Sequence, residues 1–265
     1  MVTSLEQIVA ATRRRLSENQ PSDLRGWEKL AAHHEPRGFR RRLAAVGETG
    51  IAIIAELKKA SPSRGLIRER FQPADLAREL EEAGAAALSV LTDAEFFQGS
   101  LENLRLASEA SEIPCLRKDF IVDDAQIIEA RANRADAILL IVAALSQSDL
   151  VRLAGKARAA GLDVLCEAHD EEEFNRALDA GCDLVGVNAR DLRTFKVDLE
   201  TAFRVGKKIP SGVLAVAESG IHSASDIADL RAAGYGAFLV GESLMKAASP
   251  GDALRSLLGK PVPVR

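Results

Sequence analysis

Ile51-Ala52-Ile53-Ile54-Ala55-Glu56-Leu57-Lys58 is an apolar run that ends in charge. Its β-branched residues, and the Gly50 before it, read as a short strand buried on both faces. Side chains alternate along a strand, so Glu56 and Lys58 project from one face and Leu57 from the other. A carboxylate and an ammonium therefore leave the strand end together. Taken alone, the pair is as readily a structural ion pair as a site. The polar turn that follows, Ser61-Pro62-Ser63-Arg64-Gly65, tips the reading towards a site, because it adds an Arg suited to an anion.

From this strand onward the chain repeats one unit: a short apolar strand, a turn and an amphipathic helix. The expected strands are 51–57, 86–91, 114–118, 137–141, 163–167, 184–188, 213–218 and 237–240. Helix starts carry their own chemistry. Pro73 suits a first helical position, Ser146 and Ser223 suit caps, and Asp170 precedes glutamates that favour a first turn. Gly84, Gly161, Gly181 and Gly234 stand where each helix should stop. Such alternation implies a parallel sheet with right-handed crossovers. Eight units in this length predict an α/β fold, a single (β/α)8 TIM barrel spanning 49–265, with residues 1–48 as an N-terminal helical extension packed on it as a lid or clamp. Gly234-Tyr235-Gly236 precedes a strand instead of opening a helix after one, so it reads as a turn and not a dinucleotide site. Arg40-Arg41-Arg42 reads as a solvated face.

Composition narrows the function. The chain has 265 residues, 47% of them hydrophobic, and a net charge of only −4 with both signs mixed, so no broad field favours nucleic acid or a membrane surface. No signal-like apolar start and no apolar run of spanning length is present, which predicts a cytoplasmic protein. Cys115, Cys166 and Cys182 match no zinc or redox spacing and are expected as buried thiols in a reducing compartment. Histidine spacing suggests no metal site either.

A barrel of this kind works at the C-terminal ends of its strands. Those ends are polar here: Glu56 and Lys58 on the first, Lys118 on the third, Glu167 on the fifth, Asn188 on the sixth, Glu218 then Ser219 on the seventh. Desolvated charges converging on one face are costly unless they pair or act. Gly220 and Gly241, with Glu242 and Ser243, put small residues and backbone N–H groups after the last two strands, where such barrels hold phosphate; ordinary tight turns are the alternative. Phe96, Phe97, Phe120 and Leu192 lie in mouth loops and suit a planar apolar group, with core packing the alternative for Phe96. Cys166 should face the helix layer, and His169 reads as an exposed loop residue.

Ala55-Glu56-Leu57-Lys58-Lys59-Ala60-Ser61-Pro62-Ser63, Leu116-Arg117-Lys118-Asp119-Phe120, Gly186-Val187-Asn188-Ala189-Arg190-Asp191-Leu192, Ala217-Glu218-Ser219-Gly220 and Val240-Gly241-Glu242-Ser243 occur in that order, and together they resemble the indole-3-glycerol-phosphate synthases of tryptophan biosynthesis. The resemblance implies a lyase that converts 1-(2-carboxyphenylamino)-1-deoxyribulose 5-phosphate to indole-3-glycerol phosphate without a cofactor. It implies that Lys118 protonates or polarises the ketose carbonyl and that Lys58 binds the substrate carboxylate, with Ser61 nearby. Glu56 and Glu167 would orient the lysines and move protons in a later dehydration, whose driving residue stays open. Asn188, Arg190, Glu218 and Ser219 would bind sugar and phosphate or hold the charged groups in place. Cys166 departs from the aliphatic residue usual at its position. A related barrel, phosphoribosylanthranilate isomerase, uses a Cys on strand one and an Asp on strand six, where this chain has Glu56 and Asn188. A non-catalytic metabolite-binding barrel is the other alternative. One barrel fills the chain, so no second fused activity is expected; a monomer or weak homo-oligomer is the expected state.

Overall fold

The computed structural model describes residues 4–18, 24–191 and 197–262. Eight parallel strands form a closed barrel: β1 (Ala52–Leu57), β2 (Ala87–Leu91), β3 (Cys115–Lys118), β4 (Ala137–Ile141), β5 (Asp163–Ala168), β6 (Leu184–Asn188), β7 (Leu214–Glu218) and β8 (Ala237–Val240). Neighbours in sequence are neighbours in the sheet, and β8 closes on β1 with Ala55 opposite Val240. Five strands start or end one residue away from the expected bounds, within the usual latitude of strand ends. A two-residue ribbon, Ala60–Ser61 against Gly65–Leu66, shapes the turn after β1.

Alternation sorts the core into two layers. Ile54, Leu116, Leu165, Val216 and Leu239 fill the barrel interior, whereas Ile53, Leu88, Ile138, Cys166 and Val185 pack outward under the helices. Caps hold the helices where the sequence places them. Ser146 accepts the Asp149 N–H, Asp170 accepts that of Glu173, Ser223 forms a capping box with Asp226, and Pro73 stands in a first turn. Gly84, Gly161, Gly181 and Gly234 all adopt positive φ, the conformation that ends each helix.

The N-terminal segment does more than cover the barrel. Phe39 and Leu43, on the helix Phe39–Thr49, are fully buried and join Ala52, Ile54, Leu116 and Val216 inside it, closing the end opposite the strand exits. Burial on this scale contributes roughly 1.5–3 kcal/mol per side chain. Arg41 and Arg42 are exposed, as the solvated-face reading expects, whereas Arg40 is half-buried and tied down. It pairs with Asp183 at 2.9 Å and donates to the Gly212 carbonyl at 2.8 Å, stitching the plug to the strand entrances. The helix Leu24–Ala32 packs on the helix Ala125–Ala132. From Leu5–Glu18, Arg15 reaches Asp93 at 3.5 Å, and Asp93 caps the turn that carries Phe97.

Two expectations about cysteine and histidine change. Cys166 and Cys182 are buried core residues, as read, and Cys166 faces outward, but they are joined as a disulfide instead of standing as separate thiols. Alternation gives the face of Cys166 on β5, but not its approach to Cys182, which lies in the turn before β6. Cys115 stays free, and burial pushes its thiol up to about 12, which leaves it inert. His169 is largely covered, as set out below. Among the described residues no helix is long and apolar enough to cross a membrane.

Candidate active site

The strand exits open into a cavity of about 380 Å³. Leu91, Leu139, Ile141 and Leu239 form its apolar floor, and every polar strand-end residue singled out above lines it: Glu56, Lys58, Lys118, Glu167, Asn188, Glu218 and Ser219. Ser61, Phe97, Phe120, Arg190, Gly220, Gly241 and Glu242 complete the wall, and Leu192 lies outside the described residues. Phe97 and Phe120 face each other with ring centroids 6.0 Å apart. Phe96 is half-buried and does not line the cavity. No described residue of 1–48 reaches the lining.

Lys118 stands at the centre. Its Nζ donates to Glu167 Oε2 at 2.6 Å and to Glu218 Oε2 at 3.4 Å, so β3, β5 and β7 meet in one cluster. Burial opposes the ammonium charge, and the Glu167, Glu218 and Glu56 carboxylates outweigh it, holding Lys118 well above its ordinary value. Burial also opposes the Glu167 charge, but the Lys118 cation and the His169 ring beside it keep that carboxyl well below the usual range. Glu218 goes the other way. Burial first, and then the Glu167 charge, raise it to about 8 despite Lys118, which favours its protonated form. One ammonium, one carboxylate and one carboxylic acid thus share the pocket, an arrangement suited to moving protons.

On the next face Lys58 donates to Glu56 at 2.5 Å, as alternation along β1 requires. At the rim, Glu242 pairs with Arg64 at 3.1 Å, Lys246 at 2.6 Å and Arg190 at 3.5 Å, tying the loops after β1, β6 and β8 together. Asn188 Oδ1 accepts from the Ser219 hydroxyl at 2.8 Å and from the Arg190 backbone N–H at 3.0 Å. Ser219 itself stands at φ 67°, an uncommon conformation for a residue with a Cβ. Gly220 follows at φ 77° with Val197 close against it.

Two features escaped the sequence reading. Gly186, facing the interior from β6, leaves the space filled by the Glu218 carboxyl group. A lone glycine inside a strand was the available signal. His169 is not an exposed loop residue: it bonds to Glu173 through Nδ1 at 3.0 Å and faces Glu167 through Nε2 at 3.4 Å.

A closed parallel barrel with charged groups gathered over an apolar floor at its strand exits defines an α/β-barrel enzyme. The sequence profile of the indole-3-glycerol phosphate synthases matches residues 5–257. The indole-3-glycerol phosphate synthase of Koribacter versatilis is 58% identical across 98% of this chain and all of its own length. That of Acidithiobacillus ferrooxidans is 47% identical across 97% of this chain and 99% of its own. Among solved structures, the thiamine phosphate pyrophosphorylase of Pyrococcus furiosus matches with a TM-score of 0.61, covering 82% of this chain and 96% of its own; at 16% identity that likeness speaks for the fold alone. The chain belongs to the indole-3-glycerol phosphate synthase family.

Proposed function

We infer that the cavity carries out the reaction of its family with Lys118 at the reacting carbonyl. 1-(2-Carboxyphenylamino)-1-deoxyribulose 5-phosphate is closed to indole-3-glycerol phosphate with loss of carbon dioxide and water, which makes the protein a carboxy-lyase of tryptophan biosynthesis. The observation that carries the assignment of Lys118 is its ammonium, 2.6 Å from Glu167 at the centre of an apolar-floored pocket.

The ring carbon that bears the carboxylate attacks the ketose carbonyl, and the carbonyl oxygen takes up the electron pair. Lys118, held protonated by its carboxylates, stabilises that oxygen and gives up its proton only as the oxygen becomes a strongly basic alkoxide. The carboxylate, held until then by Lys58, leaves as carbon dioxide, and the electrons of the broken bond restore the aromatic ring. Dehydration then needs an acid at the departing hydroxyl and a base at the neighbouring carbon. Glu167, beside Lys118, and the Lys58–Glu56 pair are the groups within reach. Phe97 and Phe120 hold the aryl ring over the carbonyl, and placement of this kind is worth roughly 7–11 kcal/mol of barrier. Gly220, Gly241, Ser219 and Arg190 suit the phosphate and sugar. Every group assigned comes from one barrel, so one chain makes one complete site without metal or organic cofactor.

The test is a spectroscopic assay of the purified chain with this substrate. Indole absorption should rise with one carbon dioxide released per product, before and after dialysis against a chelator. No turnover by the folded protein would refute the reading, and activity restored only by a divalent metal would refute the lysine–carboxylate chemistry.

A further inference from the structure

His169 follows the last residue of β5 and stands two positions beyond Glu167. Its side chain is only 12% accessible and is wedged between two carboxylates. On one side Glu173 Oε2 lies 3.0 Å from Nδ1 and also accepts the His169 backbone N–H at 2.8 Å, which fixes the ring. Glu173 is itself anchored in the first turn of the helix Glu171–Asp179. On the other side Nε2 faces Glu167 Oε1 at 3.4 Å, while the second oxygen of Glu167 receives the Lys118 proton at 2.6 Å. A continuous line of alternating charge runs from Glu173 through His169 and Glu167 to Lys118.

A neutral imidazole has one donor and one acceptor nitrogen. Between two carboxylates it would turn a lone pair towards one of them. Only the imidazolium presents an N–H to both, bonding Glu173 through Nδ1 and turning a second N–H, Nε2, towards Glu167 at ion-pair distance. We propose that His169 is a positioning residue of the reaction: as an imidazolium clamped by Glu173, it keeps Glu167 ionised and turned towards Lys118. The proposal rests on the reading of Glu167 and Lys118 as the working pair.

Burial works against the imidazolium, yet Glu167 and Glu173 outweigh it and raise His169 to about 10. The groups that bear on the assembly are those two carboxylates beside the ring and, beyond Glu167, Lys118 and Glu218. This explains an asymmetry. Glu167 and Glu218 both touch Lys118, but only Glu167 has a second cation behind it, so the charge settles on Glu167 and the proton on Glu218.

The charge of His169 can be read directly from its imidazole NMR signals. The chain has four histidines, so the signal missing from His169→Asn identifies it. At about pH 8, where an ordinary imidazole of pKa about 6.5 is neutral, His169 should be protonated in the full-length enzyme, and Glu173→Gln should lower its titration. A neutral ring there overturns the proposal.

Kinetics supply the second arm. His169→Asn keeps a donor near the Nδ1 position and offers nothing to Glu167, whereas Gln reaches the Nε2 position without the charge. For Asn, kcat should fall roughly 10–100-fold at unchanged KM, the acidic limb of the kcat profile should move to higher pH, and Gln should recover part of the loss. A lowered melting temperature for His169→Asn and Glu173→Gln with the parent's kcat and pH profile would make this a structural ion pair and overturn the proposal. Glu167→Gln is measured alongside. If it turns over normally, the reading of Glu167 fails and this inference with it; if it is disabled while His169→Asn behaves as the parent, this inference alone falls.

Discussion

Gly186 on β6 stands where the carboxyl group of Glu218 on β7 needs room: a Cβ at position 186 would lie 3.1 Å from Glu218 Cδ and press closer still on Oε1. Glycine weakens a strand interior, so its presence here answers to the neighbour and not to the strand. Gly186→Ala should cost about 1–3 kcal/mol through overpacking and lower kcat as Glu218 turns from Lys118. Melting curves paired with kinetics check this. An Ala variant matching the parent in both would show that Glu218 moves freely and that its orientation is immaterial.

Lys118→Ala should reduce kcat by about 10²–10⁴-fold, the usual worth of a positioned acid, with little change in substrate affinity because the aryl and phosphate contacts stay. Binding measured by calorimetry separates the two effects. Near-normal turnover by the folded variant would remove Lys118 from the mechanism.

The raised carboxyl of Glu218 makes stability depend on pH. Its value is about 8 in the fold against an ordinary 4.5, so between them the folded protein holds a proton that the unfolded chain releases. That stabilisation is complete below the unfolded value and is lost as pH rises through about 8. Glu167 has the opposite sign. Its depressed value gives stability present above the ordinary carboxylate range and lost on acidification, so it does not contribute to a decline on the alkaline side. Glu218→Gln fixes the neutral form, and its melting temperature should fall less than the parent's from about pH 6 to about pH 8.5. Parallel curves for the two proteins would contradict the protonated state of Glu218.

Gly241 serves a neighbour as well as a ligand. A Cβ there would lie 2.9 Å from both Cβ and Cδ of Glu56. Gly241→Val should therefore displace Glu56 from Lys58 and lower kcat, in addition to weakening phosphate binding. A rise in KM alone would leave only the phosphate role.

The legible part of this molecule is the part governed by local stereochemistry. Alternation along β1 puts Glu56 and Lys58 on one face, and the same rule turns Lys118, Glu167, Asn188 and Glu218 inward and Cys166 outward. Caps such as Ser146, Ser223 and Asp170 need only a few consecutive residues, so they too could be read without the fold. The repeat of strand and helix then brings all eight strand ends to one mouth.

Pairing across the barrel is a different matter, because it depends on the stagger between strands and on what closes around each group. Lys118 meets Glu167 across 49 residues and Glu218 across 100. Nothing local to any of the three says which carboxyl keeps its charge. That is decided by the third neighbour, His169, whose loop looks exposed until Glu173 folds back on it. Likewise the plug of Phe39 and Leu43 is an amphipathic face until the closed barrel supplies the apolar space that takes it in. The sequence by itself determined the barrel, its working end and the residue types that gather there, since these follow from the periodicity of one chain. Only the tertiary structure decided which of those residues touch and which hold protons, because distance and burial set the energy of a charge and neither is a property of sequence order.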